Sequence, residues 1–394
     1  MAGQALNTAT ISAKMSPRIA LAAGEASGDF LGALLLGAAR ETWPELKSYG
    51  IGGAKMQAAG FDAWWPYEEL AVFGYVDALR NYRRIMGIRK ALAQQLLQPE
   101  HRPDLFIGID APDFNLGLET QLKAQGVKTA HFVSPSIWAW RPERIEKIRA
   151  AADHVLCLFP FEPEIYEKAG IPAAFVGHPF AAHIPIQADR AAARSALGLP
   201  QDAPIVALLP GSRKSEIAHL APDFFAAAGL MQKEMPLLHF VCPCVPAQLP
   251  LVQGLAAQSS LGSALTLIEG RSHETLAACD SAIVASGTAT LEAALFKRPL
   301  VIAYRMNWLN WQLIRRKRLQ PWVGLPNILC QDFVVPELLQ DALTPRALAD
   351  AALAQLQSPI QQARIVERFT DLHHSLLQPS AQRIQGVLQQ FLSA

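Results

Sequence analysis

The sequence predicts an α/β protein built from two doubly wound parallel sheets, and three observations carry that expectation. Short apolar runs bounded by turn residues alternate with longer helical patterns, as do strands buried on both faces and joined by helical crossovers. The alternation occurs twice, on either side of a segment rich in proline and small residues. The 394 residues are more than one hydrophobic core usually holds, and with 51% of them apolar and 18% charged, two domains with large cores are expected.

The elements follow in order. Residues 1–17, MAGQALNTATISAKMSP, are rich in Ala, Ser and Thr and contain no apolar segment of signal-peptide length, so they read as a loose extension. The first half, 18–180, carries candidate strands at Arg18 to Ala23, Leu105 to Ile109, Thr129 to Val133, His154 to Leu158 and Ala174 to Val176. Residues 181–203 hold one short helical pattern among prolines and read as the linker. The second half, 204–346, repeats the grammar with strands at Ile205 to Leu209, Leu238 to Cys242, Leu265 to Ile268, Ser281 to Ala285 and Leu300 to Tyr304. The remaining stretch, 347–394, is helical and long enough to leave the second domain and pack back on the first. In such sheets ligands sit beyond the carboxyl ends of the strands, and two facing domains would put both sets of ends around one cleft.

A net charge of +1 argues against a surface built to hold nucleic acid. The five cysteines lack the paired spacing of a zinc site and read as reduced core residues of a cytoplasmic protein. No window reaches the ~18 uninterrupted apolar residues of a membrane-spanning helix, so any membrane contact would be peripheral.

Candidate functional residues lie just after strands. FIGIDAPDFN, Phe106 to Asn115, delivers Asp110 and Asp113 on either side of Pro112. Ala111 precedes a proline and is biased towards an extended backbone. That keeps Asp110 at the strand end while Pro112 and Asp113 suit the first turn of a helix, with Asp113 structural. AGEASGD, Ala23 to Asp29, brackets a turn with Gly24 and Gly28 but lacks the endings of a phosphate loop, and Glu25 would place a negative charge beside any phosphate. It suits sugar hydroxyls or proton transfer, or else is a tight βα turn capped by Ser27 or Asp29.

In the second half, LLPGSR ends a strand in Gly211-Ser212-Arg213, and Arg213 offers a planar fork of donors suited to phosphate oxygens. ASGTATLE places Ser286, Gly287 and Thr288 at a helix start whose free N–H groups can hold an anion, with Glu292 in position to accept from a ribose diol. The alternative is that Thr288 or Thr290 caps the helix. In SPSIWAWRP, Trp138 and Arg141 either line a sugar or phosphate subsite or plug a gap. Two apolar-basic stretches, Val72 to Leu92 with Val72, Val76, Leu79 and Ile85, and Met306 to Leu325, suit an anionic membrane surface or are ordinary amphipathic helices.

These pieces in this order, with ELAVFGYVDAL and LPN at Leu325 to Asn327, resemble the lipid-A-disaccharide synthases from about Arg18 onward. The resemblance implies a GT-B-type fold with acceptor and nucleotide-sugar domains. It implies that UDP-2,3-diacylglucosamine donates its sugar to the 6-hydroxyl of 2,3-diacylglucosamine 1-phosphate (lipid X), giving a β-linked disaccharide 1-phosphate and UDP. It carries function onto Glu25, Asp110 and Arg213, with Glu292 and Asn327 as nucleotide contacts, and membrane docking onto Val72 to Ile88. It also implies work at the cytoplasmic face of the inner membrane and is compatible with a homodimer.

An α-linked donor and a β-linked product mean inversion in one displacement, for which one general base suffices; Asp110 is the first choice. Arg213 and the helix at Thr288 would stabilise the departing UDP, so no metal and no cofactor are expected. A UDP-sugar epimerase of the same architecture, a glycosidase pairing Asp110 with Asp113, and a non-catalytic binding module are the competing readings.

Overall fold

The structure is a computed structural model that describes residues 16–70, 75–139, 141–306, 311 and 319–392, apart from the side chains of 75–81. The chain divides into two compact units, one of residues 1–179 with 378–394 and the other of residues 180–377.

The first unit carries seven parallel strands: β1 (Arg18–Ala23), β2 (Lys47–Gly52), β3 (Asp62–Pro66), β4 (Leu105–Ile109), β5 (Lys128–Phe132), β6 (His154–Cys157) and β7 (Ala173–Phe175), in the order β3-β2-β1-β4-β5-β6-β7. Successive side chains on a strand face opposite ways, so one strand serves two cores. On β1, Ile19, Leu21 and Ala23 join the core under helix Ala26–Thr42, while Ala20 and Ala22 join the core on the other face with Phe106, Leu118 and Leu122. Helix Ser380–Leu392 closes the first of these cores by inserting Ile384, Val387, Leu388 and Leu392, an apolar stripe at helical spacing. Burying each side chain of that kind contributes about 1.5–3 kcal/mol, so the last helix is part of this unit's stability.

The second unit carries six parallel strands: β8 (Ile205–Leu209), β9 (His239–Cys244), β10 (Leu265–Glu269), β11 (Ser281–Ala285), β12 (Leu300–Tyr304) and β13 (Glu337–Leu339), in the order β10-β9-β8-β11-β12-β13. Helices Lys214–Glu234 and Pro345–Leu356 cover one face through Phe224, Phe225, Leu348 and Leu353.

In both sheets the chain first winds one way from the central strand and then restarts on its other side. The strand order therefore reverses between β1 and β4 in one sheet and between β8 and β11 in the other. A crevice opens beyond the carboxyl ends of such neighbours, because the helices that follow them leave to opposite faces.

Two expected boundaries differ from the observed ones. Residues 181–203 belong to the second unit: helix Arg190–Leu197 lies there, and the buried guanidinium of Arg194 donates to Asp280 Oδ2 (2.7 Å) and to the carbonyls of Ala278 (2.9 Å) and Ala203 (3.1 Å). A proline-rich composition hid a segment that a buried arginine ties down. Of the C-terminal stretch, helices Pro345–Leu356 and Pro359–Leu376 stay with the second unit and residues 378–394 belong to the first. The expected extension at residues 1–17 falls almost wholly outside the described residues.

Candidate active site

In the first unit the reversal point lies between Ala23 and Ile109, which are register partners, so the next residues of each strand, Gly24-Glu25 and Asp110-Ala111, emerge side by side. The approach is close. A Cβ on Gly24 would lie 2.4 Å from the Cβ of Ala111, so only glycine fits there. Glu25 is the residue before helix Ala26–Thr42; its exposed side chain does not cap that helix but accepts from the Ser27 hydroxyl at 2.6 Å.

Asp110 donates its backbone N–H to Phe132 O (2.8 Å), which fixes it at the end of the sheet. Its φ of 52° and the φ of 44° and ψ of 55° at Ala111 are both left-handed, so the expected extended conformation at Ala111 is not adopted. The reason is local: the chain must leave the sheet and enter helix Pro112–Ala124 at once, and the Ala111 carbonyl already accepts from Phe114 and Asn115. The buried amide of Asn115 secures the turn, donating to the carbonyls of Ala22 (3.0 Å), Ile109 (3.3 Å) and Asp110 (2.8 Å). Non-glycine residues rarely hold such angles, and strain of this kind collects at functional sites.

Burial pushes the Asp110 carboxyl above the ordinary carboxylate range, the charge of Glu25 adds to the rise, and His131 and the Ala111 N–H oppose it. Asp113 shares none of this. It is exposed and pairs with Arg144 at 2.9 Å, so the two acids are not a catalytic couple. Asp29, weighed as a cap for its own helix, is buried and instead accepts from the backbone of Gly53 (2.7 Å), Lys55 (3.0 Å) and Met56 (3.1 Å), capping helix Ala54–Ala58.

In the second unit the reversal point is flanked by Gly211-Ser212-Arg213 after β8 and Ser286-Gly287-Thr288 after β11. Gly211 has a φ of 112°, and a Cβ there would sit 2.7 Å from Glu216 Oε2. Arg213 precedes helix Lys214–Glu234, and its exposed guanidinium donates to Glu216 Oε1 at 2.9 Å. Helix Thr288–Leu295 starts without a side-chain cap; Thr288 is exposed, while Thr290 is buried and donates both its hydroxyl (2.7 Å) and its backbone N–H (3.1 Å) to Gly287 O.

The sequence profile of the family described as lipid-A-disaccharide synthetase matches residues 19–391. The chain belongs to the lipid-A-disaccharide synthetase family. Lipid-A-disaccharide synthases of Albidiferax ferrireducens and Verminephrobacter eiseniae are each 56% identical, covering 95% of this chain and 97% of theirs. That of Burkholderia thailandensis is 54% identical over 93% of this chain and 94% of its own. Among solved structures, an S. aureus MnaA–UDP complex (TM-score 0.63, 13% identity, 95% of this chain and 97% of that one) and the calicheamicin glycosyltransferase CalG4 (TM-score 0.63, 15% identity, 96% and 99%) share the fold. The chain is thus a glycosyltransferase of lipid A disaccharide synthesis with the GT-B-type pair of parallel sheets.

Several expected contacts of this synthetase take other roles. Asn327 is fully buried and spent internally: Nδ2 donates to Val335 O (2.8 Å) and Glu337 Oε1 (2.9 Å), and Oδ1 accepts from Val335 N (3.1 Å). It fastens helix Leu325–Cys330 to the sheet and has no donor left for a nucleotide. Glu292 is nearly buried and pairs with His273 Nε2 at 3.2 Å, and this partner raises the His273 pKa against the opposing effect of burial. Trp138 is buried, packs edge-on against Phe159 and Phe161, and donates to Glu162 Oε1 at 3.0 Å; a plug rather than a subsite wall. Arg141 is half-buried. Ile85 packs partly buried against the core, Val72 lies outside the described residues, and the side chains of Val76 and Leu79, on helix Tyr75–Leu96, do too. Among the described residues no helix is long and apolar enough to cross a membrane.

Two neighbours of Arg213 are not evident from its place in the sequence. Glu216 orients it, and Tyr304, at the carboxyl end of β12, has a phenol whose pKa is raised by burial and then by Glu216, with Arg213 opposing. An arginine followed three residues later by a glutamate at a helix start is a visible signal; the tyrosine becomes a neighbour only through the sheet order.

Proposed function

We propose that this synthetase transfers the sugar of UDP-2,3-diacylglucosamine to the 6-hydroxyl of 2,3-diacylglucosamine 1-phosphate, inverting the anomeric carbon in a single displacement. The observation that carries the reading is that Asp110, a desolvated carboxylate in a strained turn, stands at the strand reversal point of the first unit beside Glu25. A base must be ionised and within reach of the acceptor hydroxyl. Asp110 takes that proton as the hydroxyl oxygen bonds to the anomeric carbon, and the bond to the UDP oxygen breaks with its electron pair leaving on the diphosphate. Glu25 accepts hydrogen bonds from sugar hydroxyls.

Arg213 and the amides at Thr288, with Ser286 and Gly287 shaping the turn, stabilise the charge that grows on UDP, a use of fixed dipoles and cations that costs little reorganisation at the moment of reaction. The acylated substrates are membrane lipids, and peripheral contact through the segment around helix Tyr75–Leu96 brings the first unit to them; Tyr82, 60% exposed, and the exposed Arg83 suit an anionic surface.

UDP-N-acetylglucosamine 2-epimerases share the fold, one from Neisseria meningitidis at TM-score 0.63 and 11% identity over 96% of this chain and all of that one. One assay separates the readings. The protein supplied with both acylated substrates should release UDP and form a tetraacylated disaccharide 1-phosphate. An epimerised or hydrolysed UDP-sugar, with no disaccharide, would overturn the proposal.

A further inference from the structure

Behind Asp110 lies a buried ion pair that the transfer reaction as described leaves without a role. His131, on β5, is the register partner of Gly108 on β4, two residues before Asp110. Glu119, on helix Pro112–Ala124, receives the His131 Nδ1–H at 2.7 Å, and both side chains are 0% exposed. Gly108 makes room for them: a Cβ there would lie 2.2 Å from Glu119 Oε1. A pair kept only to hold the fold is poorly explained, because desolvating two charges offsets most of their attraction. This one also leaves His131 Nε2 and Glu119 Oε2 without a hydrogen-bond partner among the described residues, and each such atom in a native core calls for a reason.

We propose that Glu119 and His131 are positioning residues for Asp110, a carboxylate–imidazolium pair seated on Gly108 that holds the base in its ionised form. The inference rests on the reading of Asp110 as the base. The titratable groups facing Asp110 are Glu25 from the β1 turn and His131 from β5; those facing His131 are Glu119 and Asp110. Burial and Glu25 favour a protonated, useless Asp110, and the imidazolium is the one positive charge among these groups that opposes them. Burial alone would discharge His131, but the charge and hydrogen bond of Glu119, with a further contribution from Asp110, outweigh it and leave the histidine pKa raised. The chain of effects therefore runs from Glu119 through His131 to Asp110.

The test is the pH profile of kcat/KM for the full-length protein and for the variants H131Q and E119Q. Loss of either partner removes or weakens the positive charge beside Asp110, so the acid limb moves up by about one pH unit or more. Activity below the limb falls about tenfold for each unit of that shift and recovers as the pH is raised. A limb that stays where it is, with activity lowered equally at every pH, overturns the inference, since a merely structural role would give that result.

Should those variants not fold, NMR titration of the 15N-labelled imidazole of His131 decides, with the hydrogen-bonded Nδ1 proton identifying the ring. Its pKa falls by about one unit in D110N if the two groups are coupled. An inactive D110N with an unmoved His131 titration defeats this inference alone; full turnover by D110N defeats the base assignment and this inference with it.

Discussion

The contact between Gly24 and Ala111 sets the spacing of the two acids, so it is the most informative place to perturb. Gly24→Ala places a Cβ 2.4 Å from that of Ala111, more than about 1 Å inside the roughly 3.5–4.0 Å at which carbons rest. Ala111 does not yield easily, because its carbonyl accepts hydrogen bonds from the backbone N–H groups of Phe114 and Asn115 (both 3.0 Å). Overpacking of this kind costs about 1–3 kcal/mol, which for a unit of this size corresponds to a fall in Tm of roughly 2–12 °C. A displacement of about 1 Å at a reacting group costs on the order of 100-fold in rate. Ala111→Gly should relieve both faults, since it removes the opposing methyl and a left-handed φ of 44° suits glycine; alone it should be neutral or stabilising by up to about 1 kcal/mol. The double variant should therefore recover most of the Tm and rate lost by G24A, a coupling that a double-mutant cycle reads directly. Additive effects, or a G24A enzyme with undiminished turnover, would show that the 24–111 contact does not position the site.

Two further predictions concern groups away from that contact. Arg213→Ala removes an exposed side chain whose ion pair with Glu216 adds little stability, so Tm should hardly move while UDP binding by calorimetry weakens about tenfold to a hundredfold, the value of a hydrogen bond to a charged group; unchanged affinity would remove Arg213 from the phosphates. Glu162 is buried against Trp138 and the Phe159 N–H, and burial pushes its pKa from 4.5 up to about 7 despite those donors. The folded state thus holds a proton that the unfolded state has released. The stabilising contribution is complete below about pH 4.5 and disappears as the pH rises through about 7; urea unfolding across that range should show the decline in the wild type and a flatter dependence in E162Q, and equal slopes would refute it.

Much of this was legible in the sequence because buried parallel strands are continuous apolar runs. Arg18–Ala23, Leu105–Ile109, Ile205–Leu209, Ser281–Ala285 and Leu300–Tyr304 begin and end where their composition says. β2, KSYGIG, was invisible for a physical reason: Gly50 sits where a Cβ would lie 2.2 Å from Leu21 O, so close backbone approach replaced the side chains that signal a strand. β13, of three residues, is too short to show a pattern.

The site divides the same way. Asp110, Glu25, Arg213 and Thr288 follow strands, and position after a strand is readable. The fate of Asn327 is not, because its partners Val335 and Glu337 come to it only through folding of a loop. The left-handed pair at Asp110 and Ala111 was missed because the bias before proline describes the residue alone, whereas here Asn115 and three carbonyls decide.

Measuring, on one preparation of D110N, the single-turnover rate of disaccharide formation and the affinity for UDP separates a base at Asp110 from a donor contact there. A base predicts a rate lowered by about 100-fold or more, the usual worth of a positioned acid or base, with UDP affinity within about twofold of wild type. A rate close to wild type, or a loss of UDP binding that matches the loss of rate, would contradict it.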